Sequence, residues 1–149
     1  MSGHTPRRST QALVLALLVL AAIQGCSPNR PTFVDTGASY NQKSVLALAA
    51  SVETTSLAQT STERATALRH EALTALRSSG ERAVPVADLI TRTFPADTRG
   101  VPVYFERASF DGKLAIIMIE ATGPPKGKLS SKRVWVLDEN GAVLFFGGR

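Results

Sequence analysis

Cysteine is nearly absent. Cys26 is the only one in 149 residues, so no disulfide can form within the chain. Histidine is almost as scarce, with only His4 and His70, and no Cys/His cluster has the spacing of a zinc site. Carboxylates are scattered singly apart from Asp138-Glu139, so nothing local sets up a paired acid and base. Long apolar runs are missing too. The longest is residues 12–23, too short for a permanent membrane-spanning helix. No internal repeat is evident.

That one apolar run has a specific setting. Arg7 and Arg8 precede it and it ends in the junction Ile23-Gln24-Gly25-Cys26, the layout of a cleaved secretory signal. The junction resembles a bacterial lipobox, with an apolar residue three before the cysteine and glycine just before it. Gln24 departs from the pattern, where a small residue is commoner. The resemblance implies cleavage before Cys26 and acylation of its thiol, which would explain why a lone cysteine sits here. It implies a cell-envelope location: the outer membrane in a diderm, given Ser27, or the outer face of the plasma membrane in a monoderm. Losing Arg7 and Arg8 takes the formal charge from +5 to +3. It also removes His4, so any Ser-His-Asp triad would need His70 as its base.

Three regions are expected: a signal peptide at 1–25, a lipidated N-terminus and flexible tether at 26–42, and a single domain at 43–149. Prolines, a glycine and polar residues make 27–42 read as tether. Apolar spacing predicts a helix over 43–55 and a second over 61–78, with Thr60 and Glu63 as a capping box and Gly80 as its stop. On the second helix His70 projects away from the apolar side, whereas Arg69 falls inside the apolar arc, its stem expected along an edge. Pro85 opens a short third helix over 85–93.

From Val101 the pattern turns to strands at 101–109, 113–122, 132–138 and 142–147. Asp111-Gly112 and Asn140-Gly141 are hairpin turn signals. They predict a register pairing Phe110 with Lys113, Tyr104 with Ile119, Phe105 with Met118, Glu139 with Ala142, Trp135 with Phe146 and Val136 with Phe145. The expected fold class is α+β: two N-terminal helices and a short third helix packed on a four-stranded antiparallel sheet of two hairpins. The layout loosely resembles cystatin-like and similar small α+β modules, and also the Roadblock group, which has a helix between its second and third strands where this chain has only the 123–131 loop; no function is implied here.

The strands are apolar on both faces, for example Leu114-Ala115-Ile116-Ile117-Met118-Ile119, so both faces need cover. The two long helices are expected on one. The short helix, the tether or a partner must cover the other, which makes Trp135, Leu137, Leu144 and Phe146 a candidate docking face. The segment 123–130, Gly-Pro-Pro-Lys-Gly-Lys-Leu-Ser, superficially resembles a phosphate-binding loop. Its prolines lack the needed N–H groups, Leu129 stands at the magnesium-binding position, and a strand follows it. What remains is charge: Lys126, Lys128, Lys132 and Arg133 could meet lipid phosphates or an acidic partner. The expected function is a non-enzymatic, membrane-tethered binding or accessory module for another envelope component. A small apolar ligand- or lipid-binding module is the alternative. No catalytic residue, metal or cofactor is assigned. The expected partners are the membrane, through lipid on Cys26, and an envelope protein or a second copy, with no nucleic acid.

Overall fold

The computed structural model describes residues 30–148. The signal segment and Cys26 lie outside them. The order of elements is β1 (Thr32–Tyr40), α1 (Gln42–Ser51), α2 (Ala65–Arg77), α3 (Val84–Thr93), β2 (Val101–Phe110), β3 (Lys113–Thr122), β4 (Ser131–Leu137) and β5 (Val143–Gly148). The five strands form one mixed sheet in the order β1-β2-β3-β4-β5. The class is α+β, but the sheet is neither four-stranded nor wholly antiparallel.

The fifth strand is the main correction. Residues 32–40, expected as tether, pair parallel with β2 from Thr32 opposite Tyr104 to Tyr40 opposite Phe110. Pro31 and Gly37 are compatible with this because β1 is an edge strand. The register shifts between Asp35 and Ser39, and Gly37 at φ 64° supplies the positive φ inside that bulge.

The hairpins follow the turn chemistry more closely. Asp111 and Gly112 have φ of 47° and 80°, as a two-residue primed turn requires. Phe110 faces Lys113, Tyr104 faces Ile119 and Phe105 faces Met118. Trp135 faces Phe146 and Val136 faces Phe145, but Leu137 then pairs with Val143. Glu139 and Ala142 are therefore not a ladder pair. Asp138 ends the strand instead, because its Oδ1 accepts from the N–H groups of Asn140 at 2.9 Å and Ala142 at 2.8 Å. The register shift leaves Leu144 out of the ladder and packs it against the α1 side of the sheet.

The helices divide differently from expectation. Helices α2 and α3 bury Leu73, Leu76, Val86, Leu89 and Ile90 on Phe105, Ile116, Met118 and Leu137. Helix α1 covers the opposite face, with Val45 and Ala49 against Ile117, Ile119, Val134 and Val136. The two-sided apolar strands are thus covered from within the chain. Capping also moves. Asn41 and Ser44 form a reciprocal capping box on α1. The second helical region opens with a 3-10 turn at Thr62–Arg64 capped by Ser61, not Thr60. A third cluster, including Leu57, Leu68, Val101 and Leu129, closes the end where β1 begins.

Candidate functional site

Helix α1 lies across the far side of the sheet, its Val45 and Ala49 packed with Val134 and Val136 of β4. Between α1 and the β4–β5 pair is a groove of about 580 Å³, lined by Leu46, Ala49, Val134, Phe145 and Gly147 among others. Gly147 lets the helix come close. A Cβ built there would stand 2.9 Å from Leu46 Cδ2. Leu46 and Phe146 are among the exposed large apolar residues. Strand β5 ends the sheet, so its outer backbone edge has no strand neighbour among the described residues. Such an edge can accept another strand.

Of the proposed docking residues, Trp135 and Phe146 form the expected aromatic pair, with ring centroids 4.3 Å apart. Phe94 adds an edge contact to Trp135 at 5.1 Å. Leu137 is fully buried beneath α3 and Leu144 packs toward the opposite face. The four do not form one open surface. Phe146 stacks with Trp135 on the α2–α3 face at the sheet margin, so Leu46 is the exposed apolar residue on the α1 side of the groove.

The basic residues are also separated by the fold. Lys132 Nζ donates to the carbonyls of Ala50 and Val52, both at 2.9 Å. It caps the C-terminus of α1, where a cation is favourable. Arg133 Nε donates to Glu120 at 2.6 Å. Lys126 and Lys128 remain exposed, and Lys128 Nζ hydrogen-bonds the Gln59 side chain. Their loop is anchored, with Leu129 N–H on Thr60 O at 2.9 Å and Thr62 Oγ1 on Pro124 O at 3.0 Å. Leu129, which fails as a magnesium ligand in sequence, is fully buried.

Two charged centres escaped the sequence reading. Glu120 is buried on the α2–α3 face. It accepts from Arg69 Nη1 at 2.9 Å, Arg133 Nε at 2.6 Å and Trp135 Nε1 at 2.8 Å. Arg69 also donates to Gly100 O at 2.9 Å and lies over the Phe94 ring. It does not run along an edge, being only 4% exposed, and its Nη2 has no hydrogen-bond partner. Burial pulls the Arg69 guanidinium below its ordinary pKa, and Glu120 pulls it back up. Gly100 makes this packing possible, since a Cβ there would meet the Glu120 carboxyl at 2.2 Å.

The second centre is Glu106, buried on the α1 face. Its Oε2 accepts from Tyr104 at 2.7 Å and Tyr40 at 3.0 Å, and its Oε1 from the Thr36 hydroxyl. The β1 bulge brings Thr36 into position. Burial first, then the neighbouring carboxylate, raises the pKa of both tyrosines. They therefore remain donors across the physiological range. This cluster joins the edge strand to the sheet.

The signal for both centres was present in the patterns: Arg69 within an apolar arc, Glu120 on the face of Ile116 and Met118, Glu106 on the face of Tyr104 and Ala108. His70 is exposed on α2, as its position predicts. Among the described residues, no group of three His, Cys, Asp or Glu side chains could hold a metal ion. No helix among them is long and apolar enough to cross a membrane. No protein-family model, curated protein or solved structure matches the chain.

Proposed function

We propose that this protein is a non-enzymatic lipoprotein of the cell envelope, held through lipid on Cys26, that binds another envelope protein as an accessory module. The observation that carries the binding role is the groove between α1 and β5. It combines a sheet edge with no strand neighbour among the described residues, the exposed Leu46 beside Phe145, and a floor kept low by Gly147. An extended segment added to β5 would gain ladder hydrogen bonds and place an apolar side chain between Leu46 and Phe145. The two buried carboxylates are held by partners on several elements, an arrangement suited to fixing the domain's shape.

A photoreactive residue at Leu46 or Phe146 in the intact chain tests this reading. It should give a discrete crosslinked product in envelopes, whereas Leu114, equally apolar and 58% exposed, should not. Equal products from all three sites would refute groove binding. A small apolar ligand is the second reading, favoured by a volume inside the ordinary range for small-molecule sites. In that case a fluorescent fatty acid should bind the purified protein, and Gly147→Leu should abolish binding.

A further inference from the structure

With β1 starting at Thr32, six residue steps separate it from Cys26, a span of at most about 20 Å. If Cys26 carries lipid, the end of the sheet from which β1 starts lies close to the bilayer. The strand registers define that end. It holds the start of β2, the end of β3 with the 123–130 loop, and the start of β4. The 3-10 turn joins it through the bridge between Ser61 and Lys128.

Charge is distributed unevenly about this axis. Arg30, Arg64, Arg99, Lys126 and Lys128 are all exposed at this end, as are Glu53, Glu63 and Asp97. Beneath them Arg69, Arg133 and Lys132 outnumber Glu120. Of the fourteen Lys and Arg and twelve Asp and Glu in residues 30–148, eight and four lie at this end, leaving six and eight elsewhere. The domain is therefore positive where the chain enters it and negative over the remainder, although its net charge is small. Such an asymmetry produces an orienting field that a net charge does not reveal.

We propose that this end is a membrane-facing surface that docks on anionic lipid headgroups, with Lys126 and Lys128 at its tip. The proposal rests on the lipid-anchor reading of Cys26. The anchor supplies proximity and the basic end supplies orientation, the combination of one lipid signal with one basic patch. The loop is suited to this use because it is fixed by Leu129 and Thr62 while Lys126 and Lys128, the latter bonded to the exposed Gln59 side chain, stay at the surface. Docking would leave the acidic remainder of the domain turned away from the bilayer.

Hydrogen exchange on the full protein purified from membranes and reconstituted in vesicles tests the orientation. Each cation at an anionic surface favours docking by about fivefold, so the two lysines together give about 25-fold. Exchange in the segments 94–100 and 123–130 should slow by up to that factor on adding phosphatidylglycerol to phosphatidylcholine vesicles. The hairpin at 110–114, at the opposite end, should be unchanged. High salt or Lys126→Glu with Lys128→Glu should remove the protection, and Lys43→Glu with Lys113→Glu should not. Equal slowing at both ends, or slowing indifferent to anionic lipid, would overturn the proposal. Failure of the anchor is read separately, as protein that does not remain with phosphatidylcholine vesicles at all.

Discussion

Replacing Glu120 by glutamine probes the buried charge centre directly. The carboxylate is fully buried between Arg69 and Arg133, whose side chains are 5% and 27% exposed. Charge centres about 4 Å apart attract by about 4 kcal/mol at an effective dielectric of 20. Much of that offsets the cost of taking the ions out of water, so the intact pair adds little net stability. Removing one member is different, because the desolvation cost of Arg69 remains with no carboxylate to offset it, only the Gly100 carbonyl and the Phe94 ring. Glutamine keeps one acceptor oxygen, for Trp135, and turns its NH2 toward Arg69, so the substitution removes the charge and the Arg69 hydrogen bond together. The expected loss is about 3–5 kcal/mol, a fall in Tm of roughly 12–20 °C at about 4 °C per kcal/mol. Trp135 is the only tryptophan and bonds Glu120 itself, so its fluorescence in urea reports the transition. Arg69→Met combined with Glu120→Gln should recover more than about 1 kcal/mol relative to the sum of the single variants. A loss below about 1 kcal/mol for Glu120→Gln, or additive single and double variants, would refute a charged, mutually dependent pair.

Gly100→Ala should destabilise the fold by about 1–3 kcal/mol or more in a thermal melt, since its methyl would overlap the fixed Glu120 carboxyl. The Glu106 cluster predicts an alkaline limit. Tyr40 and Tyr104 have raised pKa values in the fold, so their contribution is full below about pH 10 and is lost as pH rises from there through the folded values. Tm measured up to strongly alkaline pH should fall in that window, and Tyr104→Phe should flatten the fall. Cys26→Ser should abolish incorporation of a labelled fatty acid and leave a longer, uncleaved chain. Equal labelling of both forms would reject the anchor.

Much of the fold was legible in the sequence because it is built locally. The 113–122 strand and the pairs around Asp111-Gly112 follow from two residues that tolerate positive φ and from the alternation beside them. The β1 strand was not legible. Its residues 32–40 carry few apolar side chains, and its ladder partner lies about seventy positions away in β2. A parallel edge strand has no turn to announce it. The β4–β5 connection was read one step wrong because the Asp138 side chain bonds two backbone N–H groups, an alternative to the ladder that short polar residues offer.

The candidate sites divide in the same way. Lys126, Lys128, Lys132 and Arg133 read as one basic group along the chain, but the fold gives Lys132 to a helix end and Arg133 to Glu120. Trp135 and Phe146 were paired correctly by register, whereas the shift beside Leu137 removed Leu144 from their side.

By itself, the sequence determined the α+β class, the two hairpins and the apolar character of both sheet faces. These depend on neighbours within a few residues, where sterics, periodicity and turn chemistry act without knowledge of the whole chain. The tertiary structure alone decided that β1 joins the sheet, that α1 covers the face opposite α2 and α3, and that a groove opens beside β5. It alone brought Arg69 to Glu120 and Tyr40 to Glu106. Those choices depend on contacts between distant segments, where a buried charge is stable only if the rest of the fold delivers its partners.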